Sequence, residues 1–348
     1  MIEAMRKELY LLNKSNISNS FKEQITTIYF GGGTPSILPP DNIKKLLDTI
    51  NLYYEINKDA EITLEANPDD IEKNKLIEWK LAGINRLSIG IQSLNNSELK
   101  WMNRVHTAEE GLEAIQKVKE AGFTNFSVDL IYGTPKLNNQ SWKEDLQRVI
   151  ELNAPHMACY ALTVEPATAL FKMIQLNKKR PIDNDLQAEQ FKYLMKLMDQ
   201  SGYEHYEISN FSKPGFRSKH NSSYWKGIKY IGIGPSAHSY DGDNRRWNIN
   251  NNSVYINKIS ENILPFENEI LTNKDKFNEF VMVRLRMIEG VNITELQRLF
   301  GNEMQNYFLK GIDKFINKGE LILNGNNVIL TNDGKLFADA ISSQLFFL

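Results

Sequence analysis

Strand-like runs alternate with amphipathic helical segments at intervals of about 30 residues, and that rhythm limits the chain to βαβ units around a parallel sheet. The runs are Thr26–Phe30, Glu61–Ala66, Arg86–Gly90, Asn125–Tyr132 and His156–Leu162. Each is rich in β-branched or aromatic residues and bounded by Gly, Pro or Asn. Between them the periodicity predicts helices over Asn42–Tyr53, from a cap at Asp69-Asp70 through Leu81, from near Asn95, over Thr107–Ala121 with Gly122 as its stop, and over Ser141–Leu152. A helix over Ile2–Asn13 precedes them, with Met5, Leu9 and Leu12 on one face. A long helix at Asp183–Gln200 leads to a sixth candidate strand, Tyr203–Ile208. So many units of one type favour a curved, partial (β/α) TIM-like barrel, with an open doubly wound sheet as the alternative. Either places ligands at the carboxyl ends of the strands.

That rule orders the polar residues. Gly31, Gly32, Gly33 and Thr34 follow the first strand, Glu65 ends the second, Gln92 follows the third, Asp129 sits late in the fourth and Tyr160 late in the fifth. All are expected to face one mouth. The triple glycine allows positive φ and close approach of backbone to a ligand, and Pro35 ends the strand. The spacing is neither G-x-G-x-x-G nor that of a P-loop, so local chemistry leaves ligand contact and an ordinary turn both open.

A formal net charge of −2 provides no basic field for nucleic acid. The amino terminus is mixed in charge and has no apolar stretch of the signal-peptide kind, and no run reaches the roughly 20 apolar residues of a membrane span. The cytoplasm is the expected compartment. One cysteine, Cys159, allows neither an intrachain disulfide nor a cysteine-rich metal site.

Residues 209–243 loosen into Gly, Pro, Asn, Ser and aromatics, and read as a functional loop region. It contains His220-Asn221-Ser222-Ser223-Tyr224-Trp225. A lone histidine there is either an iron ligand or a hydrogen-bonded loop residue. From Lys274 the pattern is helical over Phe277–Ile288, Ile293–Phe300 and Met304–Asn317, then a hairpin (Glu320–Leu323 and Val328–Leu330) and a last helix from Asn332. Three helices and a β-wing outline a winged helix. The candidate recognition helix sets Lys310 and Lys314 against Glu303 and Asp313, so a structural appendage is expected rather than a DNA reader. The expected units are 1–208, 209–272 and 273–348.

As an ordered set, GGGTPS at Gly31–Ser36, LEANPDD at Leu64–Asp70, RLSIGIQSLN at Arg86–Asn95, NRVH at Asn103–His106, VDLIYGTP at Val128–Pro135 and YEISNF at Tyr206–Phe211 resemble the HemW family. That family is the heme chaperone branch of the oxygen-independent coproporphyrinogen III oxidase-like radical S-adenosylmethionine (SAM) proteins. The resemblance spans nearly the whole chain, and HNSSYW looks like the family's H-N-x-x-Y-W heme motif. It implies a radical SAM barrel in which Gly32, Gly33 and Thr34 meet the methionyl end of SAM and Glu65, Gln92, Arg104 and Asp129 make further contacts. It implies heme at His220, the possible axial ligand, with Asn221, Tyr224 and Trp225 beside it. A heme acceptor protein and an electron donor are the partners it suggests.

The family also has an upstream strand and a C-x-x-x-C-x-x-C loop that holds a [4Fe–4S] cluster. This sequence has neither, and Cys159 alone cannot hold one. A fragment lacking the first barrel strand is the favoured explanation, a cluster-less relative the other. Two functions from different classes follow from the resemblance: a heme carrier that also binds SAM, and a radical enzyme decarboxylating coproporphyrinogen III. HNSSYW favours the carrier. Whether the chain is an enzyme stays open at this point.

Overall fold

The first five strands pair in the order in which the chain makes them. In the computed structural model, which describes residues 1–15, 24–166 and 168–348, β1 (Ile25–Phe30), β2 (Ile56–Ala66), β3 (Arg86–Gln92), β4 (Phe126–Tyr132) and β5 (His156–Ala161) are neighbours in sequence and all parallel. A doubly wound sheet reverses its strand order at a switch point. Here there is no reversal, so the sheet curls as a partial barrel.

The helices that connect these strands follow from local chemistry. Helix α1 (Ile2–Lys14) precedes β1, and α2 (Pro40–Tyr53) starts on proline, whose missing N–H costs nothing at a helix start. Helix α3 (Lys73–Ala82) begins later than expected. Asp69 and Asp70 sit in a separate 3₁₀ turn, Pro68–Asp70, and extended Ile71 separates it from the helix. Asp70 instead accepts the Ser36 hydroxyl at 2.7 Å. Asn95 caps α4 (Asn96–Trp101), and Thr107 and Glu110 form a capping box on α5 (Ala108–Glu120). Helix α6 (Asn139–Glu151) leads to β5.

Period-two alternation divides the sheet's faces. Leu64, Leu87, Ile89, Ile91, Val128, Leu130, Met157 and Cys159 point one way and are buried with Leu76, Trp79, Ile115, Val118, Trp142 and Leu146 of the helices. Each such large apolar side chain contributes on the order of 1.5–3 kcal/mol. The other face carries Glu61, Thr63, Glu65, Arg86, Ser88, Ser127, Asp129 and His156. The inside of the barrel is polar.

After α7 (Ala169–Gln175) and α8 (Asn184–Gln200) the sixth expected strand appears as β6 (Glu204–Glu207), but not as another parallel unit. It turns back directly into β7 (Asn210–Ser212), which inserts between β5 and β6 and runs antiparallel to both. Two connecting residues cannot make a parallel crossover.

The stretch read as a loop is more ordered than expected. Ser218 caps a helix, α9 (Lys219–Trp225), that carries the HNSSYW motif, accepting from the Asn221 N–H. A small antiparallel sheet follows, formed by β8 (His238–Tyr240), β9 (Asn244–Asn248) and β10 (Phe266–Ile270), with α10 (Asn252–Ser260) between the last two. Helix α1 docks on it through buried Glu8, which accepts from the Gly234 N–H at 2.8 Å, the Asn248 amide at 2.6 Å and the Tyr255 hydroxyl at 2.5 Å.

The last part has its own core of Phe277, Val281, Leu285, Phe308, Ile312, Phe315, Val328 and Ile341. Helix α11 (Asn273–Leu285) is followed by β11 (Val291–Asn292), α12 (Ile293–Asn317), the hairpin β12 (Leu321–Asn324) and β13 (Asn327–Leu330), and α13 (Ala338–Gln344). Gly301, at φ +82°, breaks α12 where two helices were expected. Among the described residues no helix is long and apolar enough to cross a membrane.

Candidate functional site

Of the residues expected around a ligand, Gly31, Gly32, Gly33, Thr34, Glu65 and Gln92 lie at the ends of β1–β3 and Tyr160 near the end of β5, whereas Asp129, expected late in its strand, sits in the middle of β4. Gly31, Gly32 and Gly33 are exposed at the end of β1. Gly32 has φ +85°, which favours glycine, and a Cβ at Gly32 or Gly33 would meet no atom within 4 Å. Gly31 differs: its Cβ would come within 2.6 Å of the Tyr29 ring and 2.8 Å of a Glu65 oxygen. Glycine there lets those two side chains close over the turn. Thr34 opens the 3₁₀ turn Pro35–Ile37, its carbonyl accepting from the Ile37 N–H at 3.2 Å.

Glu65 accepts the Tyr29 hydroxyl on Oε1 at 2.8 Å, and among the described residues no donor reaches its Oε2. Gln92 ends β3 with φ +68°, a conformation rare outside glycine, and its amide folds back over Gly90. Arg104, between α4 and α5, is half-buried. Desolvation lowers its pKa and nearby Asp69 opposes that shift. Tyr160 is 45% exposed at the end of β5.

Asp129 accepts the Ser88 hydroxyl at 2.8 Å and the Ser127 hydroxyl at 2.7 Å. Loss of water still outweighs those bonds and pushes its pKa up to about 6. Ser127 continues a chain of contacts. His156 Nδ1 lies 2.8 Å from the Ser127 hydroxyl, and its Nε2 lies 2.7 Å from the Tyr206 hydroxyl. Burial depresses the His156 pKa well below its ordinary value. The neutral ring carries its proton on Nδ1, since Ser127 gives its own proton to Asp129 and Tyr206 donates to Nε2. The Ser218 N–H in turn donates to the Tyr206 oxygen at 3.4 Å. A directional path therefore runs from the cap of α9 to Asp129.

His220 sits in the first turn of α9. Its Nδ1 lies 2.9 Å from the Thr27 hydroxyl and its Nε2 lies 3.1 Å from the Tyr224 hydroxyl. Its ring stacks on Tyr29, with centroids 4.6 Å apart and planes 18° from parallel. Burial lowers its pKa to about 4, so the imidazole is neutral near pH 7. Tyr224 meets it edge-on at 5.0 Å and is 42% exposed. Asn221 is half-buried, and its N–H donates to the Ser218 cap at 3.2 Å. Trp225 is about 140° around the helix from His220. The Arg286 guanidinium covers its ring at 5.3 Å. His220 and Tyr224 share a face; Trp225 does not.

Beneath α9 lies a pair that sequence reasoning missed. Glu61 accepts the N–H groups of Lys219 at 3.1 Å and His220 at 3.0 Å, holding a carboxylate against the start of the helix. Arg86 faces it at 3.8 Å, with both side chains almost fully buried. Thr27, Tyr29, Ser127, His156 and Tyr206 were missed as well. The signal available for the strand members was alternation: Thr27 and Tyr29 share one face of β1, and Glu61, Thr63 and Glu65 share one face of β2.

The residues present do not fit a [4Fe–4S] cluster. The sequence has a single cysteine, which is buried on the helix-facing side of β5 with its thiol pKa raised by desolvation. Among the described residues no group of three His, Cys, Asp or Glu side chains could hold a metal ion.

Residues 7–149 match the radical SAM superfamily model and residues 271–337 the HemN C-terminal domain model. The heme chaperone HemW of Bacillus subtilis is 32% identical over 94% of this chain and 87% of its own length, and that of Escherichia coli 32% over 95% and 87%. A zebrafish protein, the mitochondrial radical S-adenosyl methionine domain-containing protein 1, is 31% identical over 98% of the chain and 79% of its own length. The solved structure of E. coli coproporphyrinogen III oxidase (HemN), described as a radical SAM enzyme, superposes with a TM-score of 0.82 at 23% identity, over 99% of this chain and 82% of that one. At that identity the likeness concerns the fold alone. With relatives of this identity matched along almost its full length, the chain belongs to the HemW family of heme chaperone-like radical SAM proteins.

Proposed function

We propose that this chain binds heme at His220 and SAM at the carboxyl ends of β1–β4, and acts as a heme carrier. The observation that carries the heme reading is the state of His220. The ring is neutral, held on one side by Thr27 and on one face by Tyr29, and its Nε2 meets only the hydroxyl of a partly exposed tyrosine. An imidazole whose Nδ1 is fixed by a second group presents the other nitrogen in a set direction. Swinging Tyr224 outward would free Nε2 for iron and bare an aromatic edge for the macrocycle.

For SAM, open backbone at Gly32 and Gly33 leaves room for an amino-acid head group, and Glu65 Oε2 is free to accept from an ammonium or a ribose hydroxyl. Thr34, Gln92, Arg104 and Asp129 complete the proposed contacts, with Arg104 suited to the carboxylate. Bound SAM would bring a sulfonium and an adenosyl group to this rim. The chain's own part is to orient it there. Asn221 acts through the cap of α9, and Trp225 through packing on the opposite side from His220.

Units 1–208, 209–272 and 273–348, a heme-accepting protein, an electron donor and a cytoplasmic setting all belong to this reading. The separate core around Phe277 and Phe308 supports the last unit.

Hemin titration tests the heme reading. The expected result is a shifted Soret band that His220→Ala weakens by about tenfold or more, while His205→Ala and His238→Ala leave it near the original affinity. Equal titrations for all three variants would refute it. Loss of coproporphyrinogen III carboxyl groups in the presence of the chain, reductant and SAM would favour the enzyme instead.

A further inference from the structure

The proposed SAM rim and the proposed heme ligand meet at a single side chain. Tyr29 donates its hydroxyl to Glu65 Oε1 at 2.8 Å while its ring lies against the His220 ring at 4.6 Å. The arrangement is tightly specified. Tyr29 is half-buried near the end of β1, and Gly31, two residues on, must lack a Cβ for the Tyr29 ring and the Glu65 carboxylate to come together. Thr27, two residues back on the same face, holds His220 Nδ1 at 2.9 Å. One face of one strand thus grips both the ring and the nitrogen of the histidine. Glu65 keeps Oε2 for another donor, so engaging that oxygen need not break the Tyr29 bond.

We propose that Tyr29 is a positioning residue that couples the two sites, so that what Glu65 holds sets the orientation of His220. The proposal rests on the roles given above to Glu65 and His220. A ligand donating to Oε2 fixes the carboxylate, which fixes the phenol, which holds the imidazole against Thr27 with Nε2 outward. Ligand at the rim therefore favours heme at the histidine, and the coupling is reciprocal in free energy.

A double-mutant cycle read on the His220 ring tests this without a ligand. The probe is the nuclear magnetic resonance signal of its Cε1 proton at constant pH, assigned with His220→Gln. Stacking on Tyr29 displaces that signal from its free-histidine position. Glu65→Ala, which frees the phenol, is expected to move it back, and Glu65→Gln, whose amide oxygen still accepts the hydroxyl, to restore it. In a Tyr29→Phe background the hydrogen bond is already gone and the ring already freed, so the signal should already have moved back and Glu65→Ala should add no further change. A shift of equal size in both backgrounds, or in neither, overturns the coupling.

Hemin titration of the same variants reads its consequence: Glu65→Ala should weaken binding at least about fivefold in the native background and much less beside Tyr29→Phe. Equal weakening in both backgrounds also overturns it. If the native chain gives no shifted Soret band, the heme reading fails, and the resonance cycle still decides whether Tyr29 joins Glu65 to His220.

Discussion

Asp129 is held by two serine hydroxyls and is still harder to ionise than a carboxyl in water. Its pKa, about 6 in the folded protein against an ordinary 3.8, sets the sign of a pH effect. The stabilising contribution is fully present below the unfolded value, where both states are protonated, and is lost as pH rises through about 6. Above that, the charged folded form carries the cost of desolvation. Asp129→Asn should therefore raise the melting temperature at pH 7.5 by about 2 °C, on the order of 1 kcal/mol for a chain of this size. At pH 4 the two proteins should melt together. Thermal melts from pH 4 to pH 8 check this, and a difference that grows towards acid would contradict it. A carboxyl kept at such a cost on the polar face of a strand suits ligand recognition better than packing. Asp129 itself was legible as a lone carboxylate in an apolar strand, though it sits at the strand's middle and not late in it as expected. The Ser127–His156–Tyr206 path behind it was not, because it joins three strands that are far apart in sequence.

At the scale of elements, regular chemistry was legible and exceptions were not. Thr107 with Glu110 marks its helix by a capping box, and Asn95 marks the start of the preceding one, so both appear where the residues say. The sixth strand, EHYE, runs in the same direction as the parallel ones, but its two-residue return brings β7 between it and β5 as an antiparallel partner. The β8–β10 sheet has little apolar periodicity: β9 reads NRRWN and β10 FENEI. Its order comes from tertiary contacts such as buried Glu8. Helix α9 is seven residues long, too short to hold itself in water. Glu61 supplies what its sequence lacks, by accepting two backbone N–H groups at its start. Removing that carboxylate also leaves Arg86 buried without its counter-charge, and Arg86 already has Nε and one Nη without hydrogen-bond partners. Glu61→Ala should cost about 3–5 kcal/mol, whereas Ser218→Ala, which removes the cap and a long 3.4 Å hydroxyl bond to Glu61, should cost about 1 kcal/mol. Urea unfolding of the two variants compares them. Similar losses would mean that the pair under α9 matters no more than its cap.

Across the whole molecule, α9 is one of the places where the barrel and the last core meet; β6 touches the last unit directly through Glu207 and Met287. Its start rests on Glu61 and its first histidine on β1, while Trp225 at its end lies beneath Arg286, just beyond α11. Arg286 also pairs with Asp339 of α13 at 2.6 Å, and its carbonyl accepts from the Ile208 N–H at 3.1 Å. One arginine therefore joins the motif helix, the end of the barrel and the last helix. Motifs close in sequence pointed to the barrel end and to HNSSYW separately, the latter read as a loop, and no local pattern tells which face of Trp225 a distant arginine will cover. The Trp225 Nε1 is buried without an acceptor, so the contact holding this end of the helix is the guanidinium on the ring. A cation over tryptophan contributes about 1 kcal/mol when partly desolvated. Since α9 is too short to stand alone, that loss should appear as local opening before it appears in global stability. Arg286→Ala is expected to speed amide hydrogen exchange across residues 219–226 by about fivefold, the factor that corresponds to 1 kcal/mol. Exchange in β3 and β4 should stay unchanged. Arg286→Lys keeps a cation and should recover part of the protection. If exchange at 219–226 stays as slow as in the native chain, Trp225 is held by its surroundings without Arg286, and the joint between the motif helix and the last core lies elsewhere.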